Sequence, residues 1–326
     1  MKDPDDAAIA ASLGSDPWVR YSMASRGLGT ATDSESLEVQ RQASVGSDLV
    51  QGLVADLNGW PGAPLASHKS AEQAFHKLSF AVELGLRRGD PGSDRIVSLV
   101  MANVSEEGPF TLPTKIDPAH GGTGKGNLAW ALCDAPVVLR ALVRMGHGED
   151  PRVVRAISFL ASLVRDNGYP CAVSSSLGAW HGPGRRDDPC PYATLVMLEL
   201  LLELPGLRTG PEAHGAAECL LHLWERSREE HPYIFWMGND FRKLKAPLLW
   251  YDLVHVLEAL SKAEWLRGDG RLKTMLGVLA AKRGTDGAFA PESAYLRWKD
   301  YDFGRKKGPS GYLTAVCLGI LARIDL

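Results

Sequence analysis

The sequence lacks any apolar run approaching the ~20 residues that a bilayer-spanning helix needs, which excludes a helical membrane protein. It also lacks a cluster of lysines and arginines, and at a net charge of −3 it has no electrostatic footprint for nucleic acid. Cysteine is scarce. The five thiols (Cys133, Cys171, Cys190, Cys219 and Cys317) are odd in number and follow no framework spacing. They read as free thiols or ligands in a reducing compartment rather than as disulfides. The opening residues, MKDPDDAAIAASLGSDPW, are acidic and contain no apolar core, unlike a secretion signal. The expected location is cytoplasmic. Sustained period-two alternation is missing, which argues against a β-sheet protein. Gly-x-Ser-x-Gly does not occur, and GGTGKGN at 121–127 has no expected strand before it. Neither a hydrolase elbow nor a phosphate-binding loop is indicated.

What the chain does contain is a repeat. Pro136, Pro189, Pro247 and Pro309 each open an apolar helical pattern, at separations of 53, 58 and 62 residues. Between them fall loops with an aromatic residue: Gly108-Pro109-Phe110, Gly168-Tyr169, Pro232-Tyr233 and Gly287-Ala288-Phe289. Their aromatics lie 59, 64 and 56 residues apart. A period near 60 in a helix-rich chain signals stacked helical hairpins. Helices are expected near 128–145, 151–165, 190–204, 211–228, 247–265, 269–283 and 309–323.

The two members of each pair differ. YATLVMLELLLEL and LLWYDLVHVLEAL are apolar nearly all round and belong inside; RVVRAISFLASLVRD and RLKTMLGVLAAKRG carry charge on one face and belong outside. Five to six such inner/outer hairpins closing on themselves give an all-α fold, an α/α toroid, over residues 67–326. Residues 1–66 form an N-terminal tail and a short helical appendage. An open solenoid is the alternative, but long loops before the inner helices favour one shared mouth.

Candidate site residues gather at the heads of the inner helices. The densest polar segment is GAWHGPGRRDDPCPY at 178–192. Asp188 and Cys190 should stand at the N-terminus of a buried helix there, either as caps or, for Asp188, as a desolvated general acid. Asp188 is the first choice for an essential residue, with Arg185 and Arg186 just before it. Asp134 is the next candidate, either at a helix start or buried within a helix. Tyr251 and His255 share a helix face at i, i+4, and Asp252 with His255 at i, i+3, so that Asp252 could orient the imidazole as a base. The bland readings are caps and a satisfied core histidine. Trp130, Trp180, Trp236, Trp250 and Trp298 fall near the helix heads and could line an apolar cavity or simply pack. Asp188, Cys190, Asp252 and His255 are expected to face one cavity lined by Trp180 and Trp250. Zinc is a further reading, with Asp188 and Cys190 as ligands and His181, Asp252 or His255 completing the set.

The segments FLASLVRDNGYPC (159–171), LGVLAAKRGTDGAF (276–289) and VMANVSEEGPF (100–110) resemble the prenyltransferase and squalene-cyclase repeat family. In that terpenoid cyclase-like family, an outer helix ends in a polar residue followed by Asp-Gly-Gly-Trp or a variant. The resemblance covers roughly residues 68–326 and implies the toroid fold. It also implies acid-type chemistry on a small apolar, isoprenoid-like ligand: a cyclase, isomerase or dehydratase. The Asp-x-Asp-Asp acid motif of triterpene cyclases is absent; Arg186-Asp187-Asp188-Pro189 comes nearest. Protein prenyltransferase β subunits offer a second comparison. Asp188-Pro189-Cys190 followed by Tyr192 resembles their zinc-binding string, His120-Gly121-Gly122 their diphosphate-binding histidine, and Arg185 and Arg186 their diphosphate-binding cations. Asp252, after Tyr251, stands where that family has its zinc histidine. The alternatives to an acid-type enzyme are thus a zinc-dependent transferase and a non-catalytic toroid that binds a ligand.

Overall fold

The computed structural model describes residues 8–9, 12–13, 15–28, 33–65, 67–178, 180, 182 and 184–324, apart from the side chain of His120. The described residues form twelve α-helices and one two-stranded antiparallel hairpin. In chain order the elements are α1 (Pro17–Ser25), α2 (Ser34–Val45), α3 (Asp48–Leu57), α4 (Ala74–Glu83), α5 (Ser93–Met101), β1 (Leu112–Lys115), β2 (Gly126–Ala129), α6 (Ala135–Leu142), α7 (Pro151–Ala161), α8 (Pro191–Leu202), α9 (Pro211–Glu225), α10 (Leu253–Leu260), α11 (Gly270–Ala280) and α12 (Gly311–Ile324). The all-α expectation holds. No helix among the described residues is long and apolar enough to cross a membrane.

Two compact units divide the chain. The first takes Met1–Gln51, Glu83–Gly85 and Met237–Leu326; the second takes Gly52–Val82 and Leu86–Trp236. In the second unit, α8 packs against α6 and α9, and α6 also packs against α7. Every residue of α8 is buried, as the apolar sequence requires. Its partner α9 buries only one stripe, Ala213, Ala216, Ala217, Leu220, Leu221 and Leu223 among it, at the spacing of an amphipathic helix. In the first unit every residue of α10 is buried, and α10 packs on α11 and α12. The inner and outer assignments read from the sequence therefore match the burial.

The Gly-aromatic loops acquire a physical role in this packing. Tyr169 donates its backbone N–H to Thr194 Oγ1 at 3.0 Å, and the backbone N–H of Cys190 donates to Tyr169 O at 2.7 Å. The first unit repeats the pattern: Phe289 N donates to Thr314 Oγ1 at 2.9 Å, and Ser310 N donates to Phe289 O at 2.9 Å. In both cases the threonine is the fourth residue of the buried helix and stands 25 positions after the aromatic. The loop thus supplies polar partners to a helix head that is shut off from water. Gly168 is required beside it. Its φ is +113°, and a Cβ there would lie 2.7 Å from Cys219 Sγ.

Several helix starts differ from expectation. Helix α8 opens on Pro191 rather than Pro189, with Cys190 as N-cap. Helix α10 opens at Leu253, six residues beyond Pro247, because the Asp252 side chain accepts the amide of His255 and sets the cap there. Helix α12 begins at Gly311 rather than Pro309, with Ser310 Oγ accepting from Leu313 N at 3.2 Å. The segment 105–126 contributes β1 and the start of β2, paired Leu112 to Ala129 through Lys115 to Gly126. GGTGKGN thus has a strand before it, but a second strand and no helix after it, so the phosphate-loop context is still missing.

Charge is buried where it is paired. Glu258 on α10 meets Arg323 at 2.8 Å, Lys262 at 3.1 Å and Arg26 at 3.8 Å, and burial opposes what these cations do to hold its carboxyl well below the usual range.

The loop-to-helix clamp can be tested directly. Thr194→Val and Thr314→Val keep side-chain volume but leave the amide of Tyr169 or Phe289 buried without a partner. Each should lower unfolding free energy by about 1–3 kcal/mol in urea denaturation, without loss of helical signal.

Candidate functional site

In the second unit, chemistry concentrates where α6 begins. Asp134 is 1% exposed and occupies the N-cap position of α6, yet its carboxyl makes no capping bond to the helix. Instead Oδ1 accepts the backbone N–H of Ala131 at 3.1 Å, and Oδ2 lies 3.0 Å from His68 Nε2. A simple cap therefore does not account for this residue. His68 is held in turn: its carbonyl is 2.6 Å from His76 Nε2, and its ring sits 6.1 Å from that of Phe75. The His68 side chain retains 19% exposure, so the pair joins a buried carboxyl to a partly open imidazole. The sequence reading missed His68 and His76. Only the topology, which brings residue 68 back to residue 134, reveals them.

Next to Asp134 lies a thiol group. Cys133 Sγ and Cys190 Sγ are 4.0 Å apart. The hydrogen bond from Cys133, helped by the amides of Ala193 and Tyr192 at the head of α8, lowers the Cys190 pKa against the opposing effect of burial. The same hydrogen bond, together with burial, raises that of Cys133. Cys171 accepts Gly182 N at 3.2 Å, and burial pushes its thiol up to about 11.

The segment 180–192 is arranged differently from expectation. Asp188 lies two residues before the N-cap of α8 and does not cap it; its Oδ2 accepts the amide of Arg185 at 3.3 Å in a local turn. Arg185 and Arg186 are exposed, with the Arg186 carbonyl held by Arg165 at 2.7 Å. Asp188 and Arg185 border an open groove of about 690 Å³ that is shared with Asp166, Glu218 and His231. Tyr192 is buried and Trp180 is half-buried. Tyr233, at φ +52°, packs its ring on Gly182 and Gly184 and donates its hydroxyl to Arg185 O at 3.0 Å. His181 lies outside the described residues, as does the His120 side chain. Of the other tryptophans in this unit, Trp130 is buried, whereas Trp236 is 63% exposed and stacked on His231 at 3.5 Å. Trp236 is therefore no cavity wall.

Asp252 and His255 belong to the first unit. Their contact is not the expected carboxylate–imidazole hydrogen bond. Asp252 Oδ1 accepts the backbone N–H of His255 at 3.0 Å, while the ring Nδ1 of His255 donates to Trp250 O at 2.8 Å. Asp252 Oδ2 is buried without a hydrogen-bond partner among the described residues. Burial drives the Asp252 pKa up to about 6, against the pull of His255 and Lys245. Nearby, Tyr295 has a buried hydroxyl with no hydrogen-bond partner among the described residues and carries Lys245 Nζ 3.4 Å above its ring. Tyr251 and Trp298 are buried, and Trp250 is half-buried.

Among the described residues no three His, Cys, Asp or Glu side chains gather closely enough to hold a metal ion. Of the zinc string, Asp188 Oδ2 accepts the Arg185 amide and Cys190 Sγ stands 4.0 Å from Cys133 Sγ, while His181 lies outside the described residues.

No family model and no curated protein matches the chain. Solved structures do resemble it. A protein from Actinoplanes matches at 15% identity over 95% of this chain and 90% of that one, with a TM-score of 0.46. The type II terpene cyclase MstE from Scytonema matches at 12% identity over 95% and 87%, with a TM-score of 0.42. A substituted form of that cyclase in complex with its product, merosterolic acid A, matches at 10% identity over 94% and 85%, with a TM-score of 0.41.

The state of Asp252 has a measurable consequence. Its folded pKa, about 6, lies above the ordinary 3.8, so between those values the native chain binds more protons than the unfolded one. Stability should therefore fall as pH rises from about 4 to 6, by roughly 3 kcal/mol. Asp252→Asn keeps an acceptor for the His255 amide but does not titrate, and should flatten that decline in denaturation curves taken at pH 4 and 7.

Proposed function

We propose that this chain is an enzyme that protonates a small apolar, isoprenoid-like molecule, with Asp134 as the proton donor. The observation that supports the reading is the Asp134–His68 pair: a carboxyl 1% exposed, 3.0 Å from an imidazole that still reaches solvent. Such a pair joins a buried oxygen to a ring that solvent reaches. Asp134 delivers the proton to a carbon–carbon double bond, and His68 returns one from solvent. The amide of Ala131 fixes the other carboxyl oxygen, so the acid stays oriented through the cycle. The carbocation formed by alkene protonation is quenched by loss of a proton elsewhere on its skeleton or by addition of water. These outcomes correspond to a cyclase, an isomerase or a hydratase/dehydratase.

The substrate class extends the repeat resemblance of residues 159–171 and 276–289. Half-buried Trp180 fits a role as an aromatic wall whose π face shields positive charge. Asp252 supports a second reading as the donor, because its buried Oδ2 has no hydrogen-bond partner among the described residues.

Turnover of a panel of linear polyprenols and prenylated phenols separates the two donors. With Asp134 as the acid, Asp134→Asn lowers kcat by about 10³-fold. His68→Gln then lowers kcat with KM little changed, while Asp188→Asn and Asp252→Asn remain active. Full activity in Asp134→Asn together with loss in Asp252→Asn would transfer the role to Asp252.

A further inference from the structure

The thiol pair at the heads of α6 and α8 has no part in the chemistry above, and its placement is specific. Cys133 immediately precedes Asp134, and Cys190 is the N-cap of α8, which packs against α6. The two residues are 57 positions apart in sequence, yet their sulfurs stand 4.0 Å from each other. From that geometry we infer that Cys133 and Cys190 form a reversible redox couple, an oxidative modification site whose disulfide ties the two helix heads together.

A disulfide needs sulfurs at about 2.05 Å, so closure asks for an approach of about 2 Å between two residues that both precede their helices rather than lie inside them. The surroundings also divide the labour between the thiols. Cys190 is 3% exposed and faces the amides of Tyr192 and Ala193, which favour its thiolate; Cys133 is half-buried and keeps its proton as donor to Cys190. Only a small oxidant reaches such a nucleophile, and hydrogen peroxide is of that class. The Cys190 thiolate attacks one peroxide oxygen, the O–O bond breaks, and the departing hydroxide takes up a proton to leave as water, giving a sulfenic acid. Cys133 Sγ then attacks the sulfenic sulfur, its thiol proton joins the leaving hydroxyl as water, and the S–S bond forms. Two thiols and one peroxide thus become one disulfide and two waters. Cys171 is the competing partner for Cys190, but it is engaged with the amide of Gly182. The inference stands whether or not Asp134 is the acid.

The test uses the full-length reduced protein, treated with sub-stoichiometric to equimolar hydrogen peroxide, alkylated, and analysed by intact-mass and peptide mapping. The expected result is loss of two hydrogens, two fewer alkylatable thiols and one linked peptide joining Cys133 to Cys190, all reversed by dithiothreitol. Cys171→Ser should behave as the wild type. Cys133→Ser should stop at a sulfenic acid on Cys190 that dimedone traps. Closing the loop between residues 133 and 190 should also raise the melting temperature of the oxidised form by several degrees over the reduced one. Retention of all five alkylatable thiols, or a bridge that runs through Cys171 instead, would overturn the inference.

Discussion

A helix that is apolar on every side has nowhere to send its polar ends. Helices α8 and α10 bury all their residues, so the amides of their first turn must be met by protein rather than by water. The rest of the architecture follows from that constraint. For α8 and α12 the partner is the Gly-aromatic loop of the preceding outer helix, which takes the threonine hydroxyl and receives the cap amide in return. For α10 it is a carboxylate, Asp252. Polar and ionisable groups are drawn by this need to the dry heads of the inner helices, where burial alters what they can do.

The same need explains why three aspartates that look alike in the sequence have diverged. Asp188 sits in a surface turn and satisfies one backbone amide there. Asp252 caps a buried helix with one oxygen and leaves the other in an apolar setting, where desolvation favours the neutral acid. Asp134 turns away from its own helix, toward a backbone amide and an imidazole. Local sequence does not distinguish a cap from a proton donor, since Asp-Pro and Asp-Ala-Pro both read as helix openings. The distinction lies in what stands across from the carboxyl, and that is set by residues far away in the chain.

Much of the fold was legible because burial leaves a periodic signature. The all-round apolar strings at 192–204 and 248–260 and the one-sided pattern at 152–166 are read from residue type alone, and the observed inner and outer helices fall within or across them. The Gly-aromatic spacing near 60 is visible as well, whereas its partner, a threonine 25 positions later, leaves no local mark in the sequence. Prolines misled at the helix heads. Pro189, Pro247 and Pro309 all precede their helices, but the true starts are set by Pro191, by the Asp252 cap on the His255 amide and by the Ser310 cap on the Leu313 amide. The β hairpin at 112–129 escaped notice because each strand has only four residues, too few for alternation to register. The site was less legible than the fold. Asp134 and Cys190 were named, but the partners that give them chemistry, His68 and Cys133, are 66 and 57 positions away.

The central claim is that a buried carboxyl delivers a proton to carbon, and isotope incorporation reads that event directly. Turnover of an accepted polyprene in deuterium oxide should yield a product with one carbon-bound deuterium per protonation, at the carbon that gains the proton, and Asp134→Asn should yield none. A product that forms without carbon-bound deuterium, or one accompanied by release of diphosphate, would contradict the account.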